Sequence, residues 1–191
     1  EPEVRGRVAL VEIQAPRSPP RPDAQGAPIL LMDQDRGRWD LLLIRRGLAA
    51  LARAEALGGA QGPYALQAAI AACHARASQA NDTDWARIAA LYAALAAVEP
   101  SPVVELNRAV AVSRADGPAA ALPIVDALLA EGALASYHLL PAVRGDLLQS
   151  LGRLREAHEA FEQAAALTRN TRERELLRAR AQACLRPAQE G

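Results

Sequence analysis

Apolar residues recur at helical spacing through most of this chain. From Arg36 onward they return every three or four positions, in runs separated by proline, glycine or residues that favour helix N-caps. The first run ends at Gly58-Gly59, and later runs begin near Pro63, Asp84, Pro102, Pro118, Ser136, Arg153 and Asn170. This pattern predicts an all-α fold.

The first 35 residues have a different pattern. Val4, Val8 and Val11, with Ile13 as a further candidate, have near-helical spacing and predict a short helix. Five prolines between positions 16 and 28 then exclude a helix there. We therefore predict an N-terminal helix plus a Pro-rich linker over 1–35, a helical domain over 36–185, and a disordered tail over 186–191.

Three segments of the helical region follow the same internal pattern, the last of them most clearly. A tetratricopeptide repeat has a small residue, a large residue and a turn glycine, followed by an alanine, an aromatic residue and a second alanine. This pattern is matched by Gly145, Leu148, Gly152, Ala157, Phe161 and Ala164. A weaker copy lies 36 residues earlier, at Ala109, Val112, Asp116, Ala121, Val125 and Leu128, and Tyr92 begins a third. The spacing predicts a right-handed helical solenoid of tetratricopeptide-like helix pairs, closed by a polar last helix.

Composition narrows the function classes. Apolar residues make up 51% of the chain but aromatics only 3%, so the core must consist mainly of Ala, Leu and Val. The formal net charge is zero, and all 22 basic residues are arginine, whereas nucleic-acid modules usually cluster positive charge on one face. We therefore expect no direct DNA contact.

The remaining composition signals concern the compartment. Cys73 and Cys184 form neither a disulfide framework nor a metal-type spacing. No apolar run is long enough to cross a membrane, and no signal peptide is present. We predict a cytoplasmic protein without membrane contact, and the start at Glu1 suggests a fragment of a longer chain.

Several strings are more specific than a helical repeat. They are MDQDRGRWD (32–40), QAAIA (67–71), TDW (83–85), SPVVELNRAV (101–110), YHLLP (137–141) and TRN (168–170). In this order, from Glu1 to about Ala183, the chain resembles the C-terminal extension of a group of extracytoplasmic-function (ECF) RNA polymerase sigma factors. In that group, a tetratricopeptide-like domain follows the two sigma regions. The stretch from Pro16 to Pro28 departs from the more regular linker expected of the group.

The resemblance implies a role in bacterial transcription initiation. DNA would be contacted only by upstream sigma regions that this chain lacks. The implied partners are those sigma regions, the RNA polymerase core or a regulatory protein. The resemblance also implies that the Asp116-Gly117-Pro118 junction matters for activity.

Sixteen residues are our candidates for interaction: Asp33, Asp35, Arg36, Trp39, Asp40, Gln67, Trp85, Glu105, Asn107, Arg108, Asp116, Gly117, Pro118, Tyr137, His138 and Arg144. The segment that holds Asp33, Asp35 and Asp40 lacks the glycine and glutamate of an EF-hand, so we interpret these aspartates as helix caps and ion-pair partners instead of metal ligands. Asparagine is a poor helix former, so Asn107 indicates either partner binding in a groove or a hydrogen bond between repeats. The tryptophans are interpreted as core anchors.

No catalytic constellation is visible. His74, His138 and His158 fall in different predicted helices, and no nucleophile motif is present. Cys73 and His74 are adjacent, so on a helix their side chains diverge by about 100°. We predict a non-catalytic regulatory domain of an ECF sigma factor, without cofactor or metal. The alternative is a free-standing tetratricopeptide adaptor that binds a peptide or protein in its concave groove. A hydrolase or metalloenzyme is the third hypothesis.

Overall fold

The computed structural model describes residues 2–14, 41–77 and 80–186. These residues form nine α-helices and one 3-10 turn (Ala80–Asp82), and they contain no β-strand. The helices are α1 (Pro2–Gln14), α2 (Leu41–Ala56), α3 (Pro63–Arg76), α4 (Trp85–Val98), α5 (Pro102–Asp116), α6 (Pro118–Ala130), α7 (Leu139–Ser150), α8 (Leu154–Leu167) and α9 (Thr171–Leu185). The prediction of an all-α protein is confirmed.

Proline is the first residue of four helices, including α1, which begins at Pro2. Pro63, Pro102 and Pro118 are the first residues of α3, α5 and α6, where the missing N–H costs no helical hydrogen bond. Between α5 and α6 the chain passes through Gly117 alone. Its φ of 93° and ψ of 165° lie in a region that is almost restricted to glycine, so α6 starts directly after Asp116 and Gly117.

Side-chain caps begin two other helices. Asp84 Oδ1 accepts a hydrogen bond of 2.9 Å from the backbone N–H of Arg87 at the start of α4. Asn170 Oδ1 accepts one of 3.2 Å from the backbone N–H of Glu173 at the start of α9. Each bond satisfies one of the N–H groups that have no partner within the helix.

The chain divides into two compact units, Glu1–Pro100 and Ser101–Gly191. In the N-terminal unit, α1 packs against α2 and α3, and α3 packs against α4. Most of α3 is buried, in keeping with its run of small apolar residues. The domain boundary that we predicted between residues 35 and 36 lies outside the described residues. Among the described residues, α1 shares one hydrophobic core with α2 and α3.

The first helix packs on its smallest residues. Gly6, Ala9 and Ile13 are buried, and the small side chains at the first two positions let α1 approach its neighbours closely. The valines that share a face in the sequence lie instead at the surface, with exposed fractions of 57%, 45% and 59% for Val4, Val8 and Val11.

The C-terminal unit is built from consecutive helix contacts. Each of the helices from α5 to α9 packs against the next, around one hydrophobic core. The repeat pattern coincides with this core: Gly145, Leu148, Ala157, Phe161 and Ala164 are buried, and Gly152 lies in the turn between α7 and α8. Of the earlier copy, Ala109, Ala121, Val125 and Leu128 are also buried.

Candidate functional site

A groove with a volume of about 490 Å³ lies within the C-terminal unit. Its walls come from one face each of α5 and α7, because the lining residues are spaced by one helical turn. Arg180 of α9 closes one side. The lining includes Val110, Ser113 and Arg114 from α5, and Val143, Leu147, Gln149 and Ser150 from α7.

Arg180 connects this groove to the core beneath it. Its guanidinium lies 4.3 Å from the centre of the Phe161 ring, and that ring is fully buried. The same guanidinium pairs with the carboxylate of Asp146 and donates a hydrogen bond of 3.0 Å to Gln149 Oε1. A cation over an aromatic face is attracted by the ring quadrupole. The wall formed by α9 is therefore held to α7 and α8 by several polar contacts.

The Asp116-Gly117-Pro118 junction lies at this groove. Pro118, the last residue of the junction, and Arg114, two residues before it, are both lining residues. Asp116 is exposed to solvent. A surface that binds in the groove would therefore lie beside this junction.

The predicted polar residues of α5 divide into two sets. Arg108 Nη2 and Nε donate to Glu105 Oε2 at 2.8 and 3.0 Å, so these two residues form a pair within the helix. Asn107 is exposed and makes no side-chain hydrogen bond to any described residue. It precedes Val110 by about one turn and so lies on the groove side of α5. The hydrogen bond between repeats is not formed within the described part of the chain.

His138 joins the starts of α7 and α9. Its Nε2 lies 3.0 Å from Glu173 Oε1, and the buried hydroxyl of Thr168 donates to the other oxygen of the same carboxylate. Tyr137 packs beside the imidazole at a centroid distance of 5.9 Å. These contacts connect α7 and α9, two of the helices that form the groove. Tyr137 and His138, which we predicted as interaction residues, therefore make contacts within the C-terminal unit.

Arg144 lies on a charged cluster formed by α6, α7 and α8. Its Nε donates to Asp126 Oδ1 at 2.8 Å. Nearby, the hydrogen bonds from Arg153 lower the pKa of Glu156, with a further contribution from the charge of Arg144. The Arg144–Asp126 pair therefore joins α7 to α6, whereas the Arg153–Glu156 pair is local to the start of α8.

The candidates in the N-terminal unit are dispersed. Gln67 is half-buried on α3, and Trp85 is the half-buried first residue of α4. The Trp85 ring meets His74 edge-on, with centroids 5.3 Å apart. Asp33, Asp35, Arg36, Trp39 and Asp40 lie outside the described residues.

Cys73 has the chemistry of a packed thiol. Burial raises its pKa above the ordinary 9.0, an effect that the nearby Arg87 partly opposes. A raised pKa keeps the thiol protonated and unreactive at neutral pH. Both cysteines are buried and free, so the structure assigns neither to a reactive site.

The described residues contain neither a cluster of metal ligands nor a helix that could span a membrane. Within 2–14, 41–77 and 80–186, no group of three or more His, Cys, Asp or Glu residues is arranged to hold a metal ion. Over the same residues, none of the helices has the length and apolarity needed to cross a membrane.

Sequence reasoning missed most of the groove. Val143, Leu147 and Ser150 follow one another at single-turn spacing, a signal that the sequence contains. Arg180 carried no such signal, because its place at the groove depends on how α9 packs against α7 and α8.

Comparison with known proteins adds two matches. Residues 1–55, which include α1 and most of α2, match a family of unknown function, DUF6596. An uncharacterized protein of Rhizobium meliloti (strain 1021) is 47% identical over 178 residues, or 93% of this chain. The chain spans 41% of the length of that relative. No solved structure matches the chain.

Proposed function

We propose that this chain is a non-catalytic interaction domain of an alternative sigma factor of the ECF group. It would regulate that factor by contact with the sigma regions, the RNA polymerase core or a regulatory protein. The observation that carries the proposal is the groove between α5, α7 and α9. Since transcription initiation takes place in the bacterial cytoplasm, the proposal also locates the chain there.

The composition of the groove suits a protein ligand. Val110, Val143 and Leu147 offer apolar area, while Ser113 and Gln149 offer hydrogen-bonding groups. Protein interfaces combine apolar contact with scattered hydrogen bonds in this way. Asn107, exposed on the same side of α5, extends the polar part of the surface.

We also propose that the C-terminal unit is a tetratricopeptide-like right-handed solenoid. The burial of the pattern positions supports this, because such repeats need small residues where their helices cross. In an arrangement of this kind, α5 and α7 are the first helices of consecutive pairs and face the concave side. Of the strings that carry the sigma-factor resemblance, 101–110 lies on and just before α5, and 137–141 lies at the start of α7.

Reporter transcription tests the sigma-factor role. The gene product that contains this chain together with its sigma regions is expressed with and without residues 1–191. A further variant carries Ser113→Arg, which fills the groove with a long charged side chain. Ser136→Arg, in the exposed turn before α7, is the matched control. We expect the deletion and Ser113→Arg to change reporter output and the control to leave it intact. Unchanged output in every condition would defeat the proposal.

A free-standing adaptor is the second candidate function. It is favoured by one observation: the groove lies wholly within the C-terminal unit and needs no further region to form. Binding of the purified 191-residue chain to RNA polymerase core and to the sigma regions separates the two candidates. The sigma-factor role predicts binding to at least one of them that Ser113→Arg weakens. The adaptor role predicts binding to neither.

A further inference from the structure

A second groove, in the N-terminal unit, lies between α1 and α2 and has a volume of about 520 Å³. Val4 and Val8 from α1 and Ala49 from α2 supply its apolar part. Arginines surround it: Arg5, Arg46 and Arg53. We refer to it as the α1/α2 groove.

The two helices that form the α1/α2 groove run antiparallel. Glu12, near the end of α1, pairs at 2.8 Å with Arg46, near the start of α2. At the other end, Pro2 lies against Gly59, just after α2. The groove therefore follows the length of α1, and Val4 and Val8 follow one another along it at an interval of about one turn.

The exposed valines are not explained by the packing of α1. A surface helix normally has one apolar stripe, which faces the core. Here Gly6, Ala9 and Ile13 already form the buried stripe. The three valines form a second one, each at least 45% exposed. Contiguous apolar surface of this kind marks an interaction site.

The charges around the groove indicate the chemistry of its ligand. Arg46 is neutralised by Glu12, whereas Arg5 and Arg53 form no ion pair with any described residue. The lining thus has an excess of two positive charges next to an apolar strip. A ligand that matches it needs apolar side chains at helical spacing and carboxylates beside them.

We propose that the α1/α2 groove binds an acidic amphipathic α-helix of a partner protein. The apolar face of that helix packs on Val4, Val8 and Ala49, and its flanking carboxylates pair with Arg5 and Arg53. A helix that lies in a groove between two others is an established mode of peptide recognition. The proposal is independent of the function proposed above, because that function rests on the other unit.

Two other occupants fit the charges less well. A second copy of the chain in a symmetric dimer would bring the same arginines of both copies together. Basic sites for anionic lipid surfaces typically carry clusters of about 4–8 Lys or Arg residues, more than the two unpaired arginines of this groove.

Peptide titration tests the proposal. The full 191-residue chain is titrated against a labelled peptide of about four helical turns, with leucines at one-turn spacing and glutamates beside them. A control peptide has lysine at every glutamate position. By fluorescence anisotropy we expect the acidic peptide to bind at least about tenfold more tightly than the basic one. Added NaCl should weaken this binding, since salt screens exposed charges.

Four variants link binding to the groove. Val8→Asp and the double change Arg5→Glu with Arg53→Glu should each weaken binding of the acidic peptide at least about tenfold. The matched controls are Val98→Asp, at an exposed valine of α4, and Arg155→Glu, at an exposed arginine of α8. Both controls should bind as the unchanged chain does, and circular dichroism verifies that every variant folds.

Any of the following results would overturn the proposal. The first is equal affinity for the acidic and basic peptides, or no loss in the groove variants. The second is self-association in analytical ultracentrifugation that Val8→Asp abolishes, which would assign the groove to a second copy. The third is flotation with phosphatidylglycerol vesicles without binding of either peptide, which would assign it to a lipid surface. The Ser113→Arg variant should leave peptide binding intact, so a failure here is distinct from a failure of the proposed function.

Discussion

Gly145 of α7 lies directly against the ring of Phe161 of α8. A Cβ atom at position 145 would be 2.5 Å from Cε1 and 2.6 Å from Cδ1 of that ring. The guanidinium of Arg180, from α9, lies over the same ring. One aromatic residue, fully buried, thus connects three helices of the C-terminal unit.

Gly145→Ala should destabilise the protein in spite of its better helix propensity. Alanine gains about 1 kcal/mol over glycine inside a helix. Overpacking against a buried ring costs about 1–3 kcal/mol, and here the ring cannot retreat because the helices on both sides hold it. We expect a net loss in the free energy of unfolding, measured by urea denaturation. An unchanged or increased stability would contradict the close packing.

A double-mutant cycle provides the control for this contact. Phe161→Leu removes the ring and costs stability by itself, since it leaves space in the core. In that background, Gly145→Ala should cost less than in the unchanged protein, because the added methyl group fills the space. If the two changes are additive, the two residues are not coupled.

Glu173→Ala should destabilise the C-terminal unit by about 1–3 kcal/mol. The buried hydroxyl of Thr168 loses its acceptor, and His138 loses its partner across the helices. Glu175→Ala, two residues further along α9 at an exposed position, is the matched control and should be nearly neutral. Urea denaturation of both variants measures the difference. Equal effects would mean that the contacts of Glu173 contribute nothing.

Asp84→Ala should cost about 0.5–2 kcal/mol, because α4 loses its N-cap. Asp84→Asn keeps an oxygen that accepts the hydrogen bond of the Arg87 backbone N–H, so it should retain most of the stability. Thermal unfolding of the two variants gives the comparison. A cap role is refuted if asparagine is as damaging as alanine.

Cys73 should react with iodoacetamide much more slowly than a free cysteine. Burial raises its pKa above 9.0, so the protonated, unreactive thiol persists to higher pH in the folded chain. The rate is measured as a function of pH in a Cys184→Ala variant, in which Cys73 is the single thiol. We expect the rate to reach half of its maximum only at a pH above 9.0, and to become ordinary in urea. Rapid reaction of the folded chain at neutral pH would contradict this.

The raised pKa of Cys73 should also make the free energy of unfolding depend on pH. The folded-state pKa of Cys73 is raised, so its contribution is fully present below the ordinary pKa of 9.0. As pH rises above that value, the unfolded chain releases the proton first, and stability falls until the folded-state pKa is passed. The pH dependence of unfolding should therefore be weaker above pH 9.0 in a Cys73→Ala variant. An identical slope in both proteins would show that the thiol is not linked to folding.

Local signals in the sequence predicted the helices well. Proline at the first helical position and capping side chains such as Asp84 and Asn170 act over a few residues, so they can be identified without knowledge of the fold. The repeat spacing also singled out Gly145 and Phe161, but their direct contact became apparent only in the structure. The groove of the C-terminal unit could not be predicted, since Arg180 reaches it from a helix that carries no matching signal.

The amino-acid sequence alone was enough to predict that the described part of this protein is helical, where most of those helices begin and end, and several of the residues that pack in the C-terminal core. These properties follow from backbone constraints and from the period of apolar residues. Only the tertiary structure decided which apolar face of α1 is buried. Gly6 and Ala9 pack inward although Val4 and Val8 are more hydrophobic, because close approach of helices depends on the size of the side chains on both partners.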